Sequence, residues 1–255
     1  RVGYFVLAPG WTSYATRLQY HVYDITDLLG EENCLEVTVG KGWARSPMPG
    51  LEENEEKKER MAQPCGLFAE IRLTNQEGAQ TVIGTDGGWQ CAESPVRFSE
   101  IYDGESCDAQ FCPEQWENAV VFEKSCDNLI PQEGEKICEK ERVQAKRVFV
   151  TPAGETVVDF GQEVTGYVEF TVDARAGQKV RILHGEVLDA EGNFYRDNYR
   201  GAKAELQYVC RDGKQTWHPQ LTFFGFRYLK LEEFPGEAKA EQFTAIAVYS
   251  DLRQT

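Results

Sequence analysis

The chain has 255 residues, 41% hydrophobic and 27% charged, with 42 acidic against 27 basic side chains and a formal net charge of −15. That size allows one large β-sandwich or two smaller domains, and the apolar share is too high for a disordered chain. The acidity, with no Lys/Arg cluster, excludes a general nucleic-acid partner, and no run of about 18 apolar residues offers itself to a membrane.

The dominant pattern is period-two alternation. It predicts strands at Cys34–Val39, Leu67–Leu73, Arg147–Val150, Tyr167–Val172, Lys179–Leu183, Leu206–Cys210, Phe226–Leu231 and Phe243–Tyr249. Asn75–Gly78, Asp189–Asn193 and Arg211–Lys214 carry the residues of hairpin loops. Helical periodicity is nearly absent. Asp24–Gly30 reads as one capped helical turn closed by glycine. Glu52–Arg60 is charged almost throughout and has no apolar face, so it reads as a solvated loop or a frayed surface helix. The predicted fold class is all-β: two antiparallel, jelly-roll-like β-sandwich domains. Residues 1–126 form the first domain, 127–142 a proline- and charge-containing linker, and 143–255 the second sandwich.

The charge is uneven, with 10 basic and 21 acidic groups in residues 1–126. It favours a neutral or cationic partner. The eight cysteines form no Cys-x-x-Cys pair and lie far in sequence from His21, His184 and His218. They read as buried reduced thiols rather than as zinc ligands or a disulfide framework. No signal peptide is visible from Arg1 onward, so a cytoplasmic location is expected, with the true N-terminus lying upstream.

Several clusters have the composition of chemical sites. Tyr102–Asp108 holds Asp103, Glu105 and Asp108, carboxylates that suit calcium, acid–base work on a glycoside, or hydrogen bonding within a turn or across a domain contact. The EF-hand pattern is missing, so calcium rests on no specific motif and no cofactor is assigned. His184-Gly185-Glu186 reads as a surface hydrogen-bonded pair. Trp11, Tyr14, Tyr20, Tyr23 and Trp43 crowd the start, and Phe223, Phe224, Phe226 and Tyr228 crowd a later stretch. Such rings fill cores or stack on sugar faces. No serine elbow, phosphate loop or dinucleotide fingerprint occurs.

Ordered motifs along nearly the whole chain resemble bacterial α-L-rhamnosidases. They begin with Leu7-Ala8-Pro9-Gly10-Trp11-Thr12-Ser13-Tyr14 and Tyr23-Asp24-Ile25-Thr26-Asp27-Leu28-Leu29. Gly40-Lys41-Gly42-Trp43 and Tyr102-Asp103-Gly104-Glu105-Ser106-Cys107-Asp108-Ala109-Gln110 follow. Then come Val158-Asp159-Phe160-Gly161-Gln162, Gly185-Glu186-Val187-Leu188-Asp189, Phe224-Gly225-Phe226-Arg227-Tyr228 and Tyr249-Ser250-Asp251-Leu252. Lys41, Cys107, Gln110, Phe224 and Tyr249 depart from the family's usual residues. The resemblance implies a first sandwich without its N-terminal strands and a second, concanavalin-like one. It implies hydrolysis of terminal α-L-rhamnosyl bonds with inversion, by carboxyl groups of an (α/α)6 barrel outside this chain. That barrel and a rhamnose-containing glycoside are the expected partners, and no residue here is catalytic. Trp11, Trp43, Tyr102, Asp103, Glu105 and Asp108 are the candidates for carbohydrate contact. A free-standing carbohydrate-binding module, calcium-assisted or not, and a purely structural interaction domain are the alternatives.

Overall fold

The computed structural model describes residues 2–46 and 64–252, and it is all-β. Glu52–Arg60 lies outside the described residues. The first half carries β1 (Leu18–Tyr20), β2 (Glu70–Thr74), β3 (Gln80–Gly84), β4 (Gln90–Cys91), β5 (Val96–Glu100), β6 (Gly104–Asp108) and β7 (Glu117–Asn118). Next come β8 (Leu129–Pro131), β9 (Ile137–Gln144), β10 (Arg147–Val150), β11 (Thr156–Ala174), β12 (Lys179–Gly185), β13 (Val187–Leu188) and β14 (Phe194–Tyr195). The last are β15 (Glu205–Val209), β16 (Gly213–Trp217), β17 (Phe224–Glu233) and β18 (Phe243–Ser250). No described helix is long and apolar enough to cross a membrane.

The main sheet runs β5-β6-β15-β12-β17-β11-β18-β9, with β10 and β16 also paired to β11. The 19-residue β11 organises it. Its first part pairs with β10 and β17, its middle with β18, and its end with β16. The register slips between Asp159 and Val164, so one strand bends and serves successive partners. Alternation assigns its side chains to two faces. Val164, Val168, Phe170 and Val172 enter the large core with Ile182, Leu206, Phe226, Leu229 and Phe243. Tyr167 points the other way and packs with Val6, Ile246 and Val248.

Asp159 fixes the bend electrostatically. Its side chain is 4% exposed and accepts hydrogen bonds from Arg147, Arg227 and the Gly161 amide. Burial works against ionisation, but the Arg227 bond and the others outweigh it and hold the carboxyl below its ordinary range. Its stabilising effect is therefore present above the ordinary carboxyl range and is lost as pH falls through the lowered value. Asp159→Asn is expected to cost about 2 kcal/mol at pH 7. Urea melts should show the gap closing in acid, and equal midpoints at pH 7 would remove this role.

Three sequence expectations change. Cys34–Val39 alternates but forms no strand: Leu35, Val37 and Val39 stay 41–48% exposed, and no described strand takes the segment's backbone hydrogen bonds. The stretch 127–142 carries β8 and most of β9. An edge strand is solvated along one side, so β9 carries Glu139, Lys140, Glu141 and Arg142 while still pairing along β18. Asp24–Gly30 contains only a 3-10 turn, Thr26–Leu28, opened by an Asp24 side chain that accepts from Thr26. Leu29 leaves it extended, so Gly30 closes nothing.

Of the three loops, Asn75–Gly78 joins the paired strands β2 and β3, and Asp189–Asn193 joins β13 and β14. Arg211–Lys214 turns the chain between β15 and β16, which pair with different partners and not with each other. All eight cysteines are free; Cys107, Cys138 and Cys210 are buried, whereas Cys34, Cys65, Cys91, Cys112 and Cys126 are exposed.

Candidate functional site

The junction between the two halves is where the candidate residues fall. The β5–β6 hairpin lies early in the sequence, yet β6 pairs in parallel with β15 across the register Gly104↔Glu205 to Asp108↔Val209. Gly104 makes this possible. Its φ is +116°, and a Cβ there would lie 1.8 Å from the Glu205 carbonyl oxygen. Only glycine fits both the conformation and the approach.

The carboxylates around this hairpin hold structure together. Glu100, 2% exposed, accepts from the amides of Tyr102 (2.8 Å) and Asp103 (2.6 Å) and from the Ser46 hydroxyl. Asp103 accepts from the Lys203 amide (3.2 Å) and Nζ (2.9 Å). Glu105, 1% exposed, accepts from the amides of Gln220 (3.0 Å) and Leu221 (2.8 Å). Burial pushes its pKa up to about 7, against the pull of those two amides. Asp108 accepts from the Gln110 amide at 3.0 Å. Asp103, Glu105 and Asp108 thus turn to separate partners. Among the described residues no group of three or more His, Cys, Asp or Glu could hold a metal ion.

The aromatics do converge. Trp11 and Trp43 stack with centroids 6.1 Å apart and planes 14° from parallel. Trp43 meets Tyr102 edge-on at 6.0 Å and Phe223 at 6.2 Å. Trp11 remains 51% exposed, so the cluster presents an indole to solvent. Thr222, beside Phe223, donates its hydroxyl to the Ile101 carbonyl and ties the second half to the hairpin. The sequence motifs point to Trp11, Trp43 and Tyr102, but their spacing does not announce Phe223 as their partner. Phe224, Phe226 and Tyr228 are core residues.

His184 is no surface residue. It is fully buried, its ring tilted against Phe224 with centroids 4.1 Å apart, and its Nδ1 lies 2.9 Å from the Ala204 carbonyl oxygen. Burial drives its pKa down to about 3; nearby Arg196 acts in the same direction and the Ala204 bond against it. Neutral imidazole donating from Nδ1 fits that contact. Glu186 instead accepts from Asn198. Their two-residue spacing suggests one pair on a strand, but β12 ends at Gly185, between them.

The family model described as the α-L-rhamnosidase N-terminal domain matches residues 1–147, and that of the bacterial α-L-rhamnosidase concanavalin-like domain matches 150–249. The chain belongs to the α-L-rhamnosidase family. An α-L-rhamnosidase of Streptomyces avermitilis is 31% identical over 98% of this chain and 25% of its own length. One from Formosa agariphila is 26% identical over 100% of this chain and 29% of its own. The crystal structure of native α-L-rhamnosidase from Aspergillus terreus superposes with a TM-score of 0.87 at 31% identity, over 100% of this chain and 31% of that one. The Streptomyces avermitilis enzyme complexed with L-rhamnose gives 0.78 at 26% identity, over 98% of this chain and 25% of that one. The chain therefore spans between a quarter and a third of these rhamnosidases. In the family's own division, the β5–β6 hairpin belongs to the N-terminal domain and β15 to the concanavalin-like domain, so the parallel pairing joins the two.

Proposed function

We propose that this chain is the non-catalytic β-region of an α-L-rhamnosidase that removes terminal α-L-rhamnosyl residues from glycosides with inversion. Its role in that reading is to support a helical catalytic barrel supplied by other parts of the protein. The observation that carries it is the ordered match of two rhamnosidase domain models over residues 1–147 and 150–249, at about a quarter of the relatives' length. The engagement of Asp103, Glu105 and Asp108 by separate amides and Lys203 supports a structural use of these carboxylates. Incubated with an aryl α-L-rhamnoside, the 255-residue chain is expected to release no phenol. Release that disappears when one of its own carboxylates is replaced would overturn the assignment.

The exposed Trp11–Trp43 stack favours a second element of the same reading, contact with the sugar. Rhamnose carries an apolar C–H face that an indole can cover. Titration with L-rhamnose should give heat at millimolar sugar, and Trp11→Ala should weaken binding about five-fold, equivalent to about 1 kcal/mol. The same titration with chelator tests calcium assistance. No heat from the unmodified chain would reject sugar contact and leave the supporting role.

A further inference from the structure

A cleft of about 360 Å3 opens between the 3-10 turn Asp197–Tyr199 and the start of β15, lined by Arg196, Asp197, Arg200, Lys203 and Glu205 with Gly201 and Ala202. Three cations around one cleft stand out on a chain of net charge −15. Two of the lining charges are already engaged. Lys203 Nζ pairs with Asp103 at 2.9 Å, and Glu205 with Arg181 at 2.7 Å. Arg196 donates from Nη2 to the Lys203 carbonyl, while its Nε is buried and meets no hydrogen-bond partner among the described residues. Burial lowers the Arg196 pKa. The guanidinium groups of Arg196 and Arg200 both line the cleft, and an oxyanion is the natural complement of such a pair of planar donors.

The backbone supports the same conclusion. Arg200 sits at φ 58°, ψ −114°, and Ala204 at φ 42°, conformations that non-glycine residues rarely adopt. Strain of this kind persists where the surroundings over-determine it, and it clusters at ligand sites. Here the base is held firmly. The Ala204 carbonyl faces both the His184 amide (3.0 Å) and its Nδ1 (2.9 Å), and the Asp103 side chain accepts the Lys203 amide (3.2 Å).

We propose that this cleft binds an oxyanion, a carboxylate or sulfate, alone or carried on a molecule the size of one sugar ring, with Arg196 and Arg200 as its donors. The volume admits a single ring with its charged group. Asp197, which also lines the cleft, would accept hydrogen bonds from the hydroxyl groups of a sugar-borne anion. The inference stands apart from the rhamnosidase reading, because it requires neither rhamnose nor the catalytic barrel.

The test is calorimetric titration of the whole chain at low ionic strength with glucuronate, glucose and inorganic sulfate. Glucuronate is expected to bind in the low millimolar range and glucose not at all. Equal binding of sulfate would support the oxyanion site and assign its source as the free anion; preference for glucuronate would support the sugar-borne one. Arg200→Gly should weaken binding at least about five-fold while leaving the melting temperature unchanged or higher, since glycine relieves the positive φ. Arg196→Gln should also lose binding; should that variant fail to fold, the glycine variant decides. No heat with either anion, or binding that Arg200→Gly leaves intact, overturns the proposal.

Discussion

Gly104→Ala is expected to be the most damaging small substitution in the β5–β6 hairpin. A Cβ would fall 1.8 Å from the Glu205 carbonyl oxygen, well inside any tolerable contact, and the residue would be held at φ +116°. The atom it meets is backbone, in a register that runs through five residue pairs, so a side-chain rotation offers no relief. Either the hairpin lifts off β15 or β15 shifts against β12. Overpacking and backbone strain together make a loss of about 4 kcal/mol reasonable. Urea unfolding followed by tryptophan fluorescence would measure it, because Trp43 packs on Tyr102 at the hairpin tip. A midpoint like that of the unmodified chain would mean that β6 is not seated on β15.

The second large effect concerns pH. Glu105 is 1% exposed, and burial raises its pKa from the ordinary 4.5 to about 7. A carboxyl group whose folded-state pKa is raised lets the folded chain bind protons that the unfolded chain has already lost. Its contribution is thus most favourable below about pH 4.5 and declines as pH rises to about 7, beyond which it is constant. The full decline amounts to roughly 3 kcal/mol. Glu105→Gln keeps an acceptor for the Gln220 and Leu221 amides and removes the titration. The difference in stability between the two chains should therefore swing toward the variant between pH 4.5 and 7. Taking the difference cancels Asp159, whose lowered pKa acts in the opposite sense at lower pH. A difference that is flat across this range would show that Glu105 is ionised throughout.

The strands of the second half were legible because one face of each meets the core and alternation records that directly. Phe243–Tyr249 and Lys179–Leu183 are examples. Alternation also misled at Cys34–Val39, since it reports a preference for a pleated surface and not the presence of a neighbouring strand. β9 was hidden for the opposite reason: an edge strand can carry four consecutive charged residues, Glu139 to Arg142, and still pair. Family-like motifs located Trp11, Trp43 and Tyr102, but nothing in their spacing announces the contact with Phe223. The Asp103–Asp108 carboxylates looked like chemistry because composition alone cannot separate a ligand set from a set of amide acceptors. The glycine at 104 was the available clue that backbone comes close there. Arg196 and Arg200 left no sequence signal at all, because their meeting depends on the turn before β15.

The pairing of β6 with β15 also bears on how the chain is made. Gly104 leaves the ribosome about 100 residues ahead of its partner Glu205, and at roughly 10 residues per second that interval is about ten seconds. Through that time the hairpin has an unoccupied edge and a buried-to-be Glu105 with no amides to meet. Synthesis in the cell therefore imposes a vulnerable interval on this β-region. A holding chaperone, or slow codons placed after rather than before residue 209, would alter the yield of folded protein without changing any contact in the finished structure.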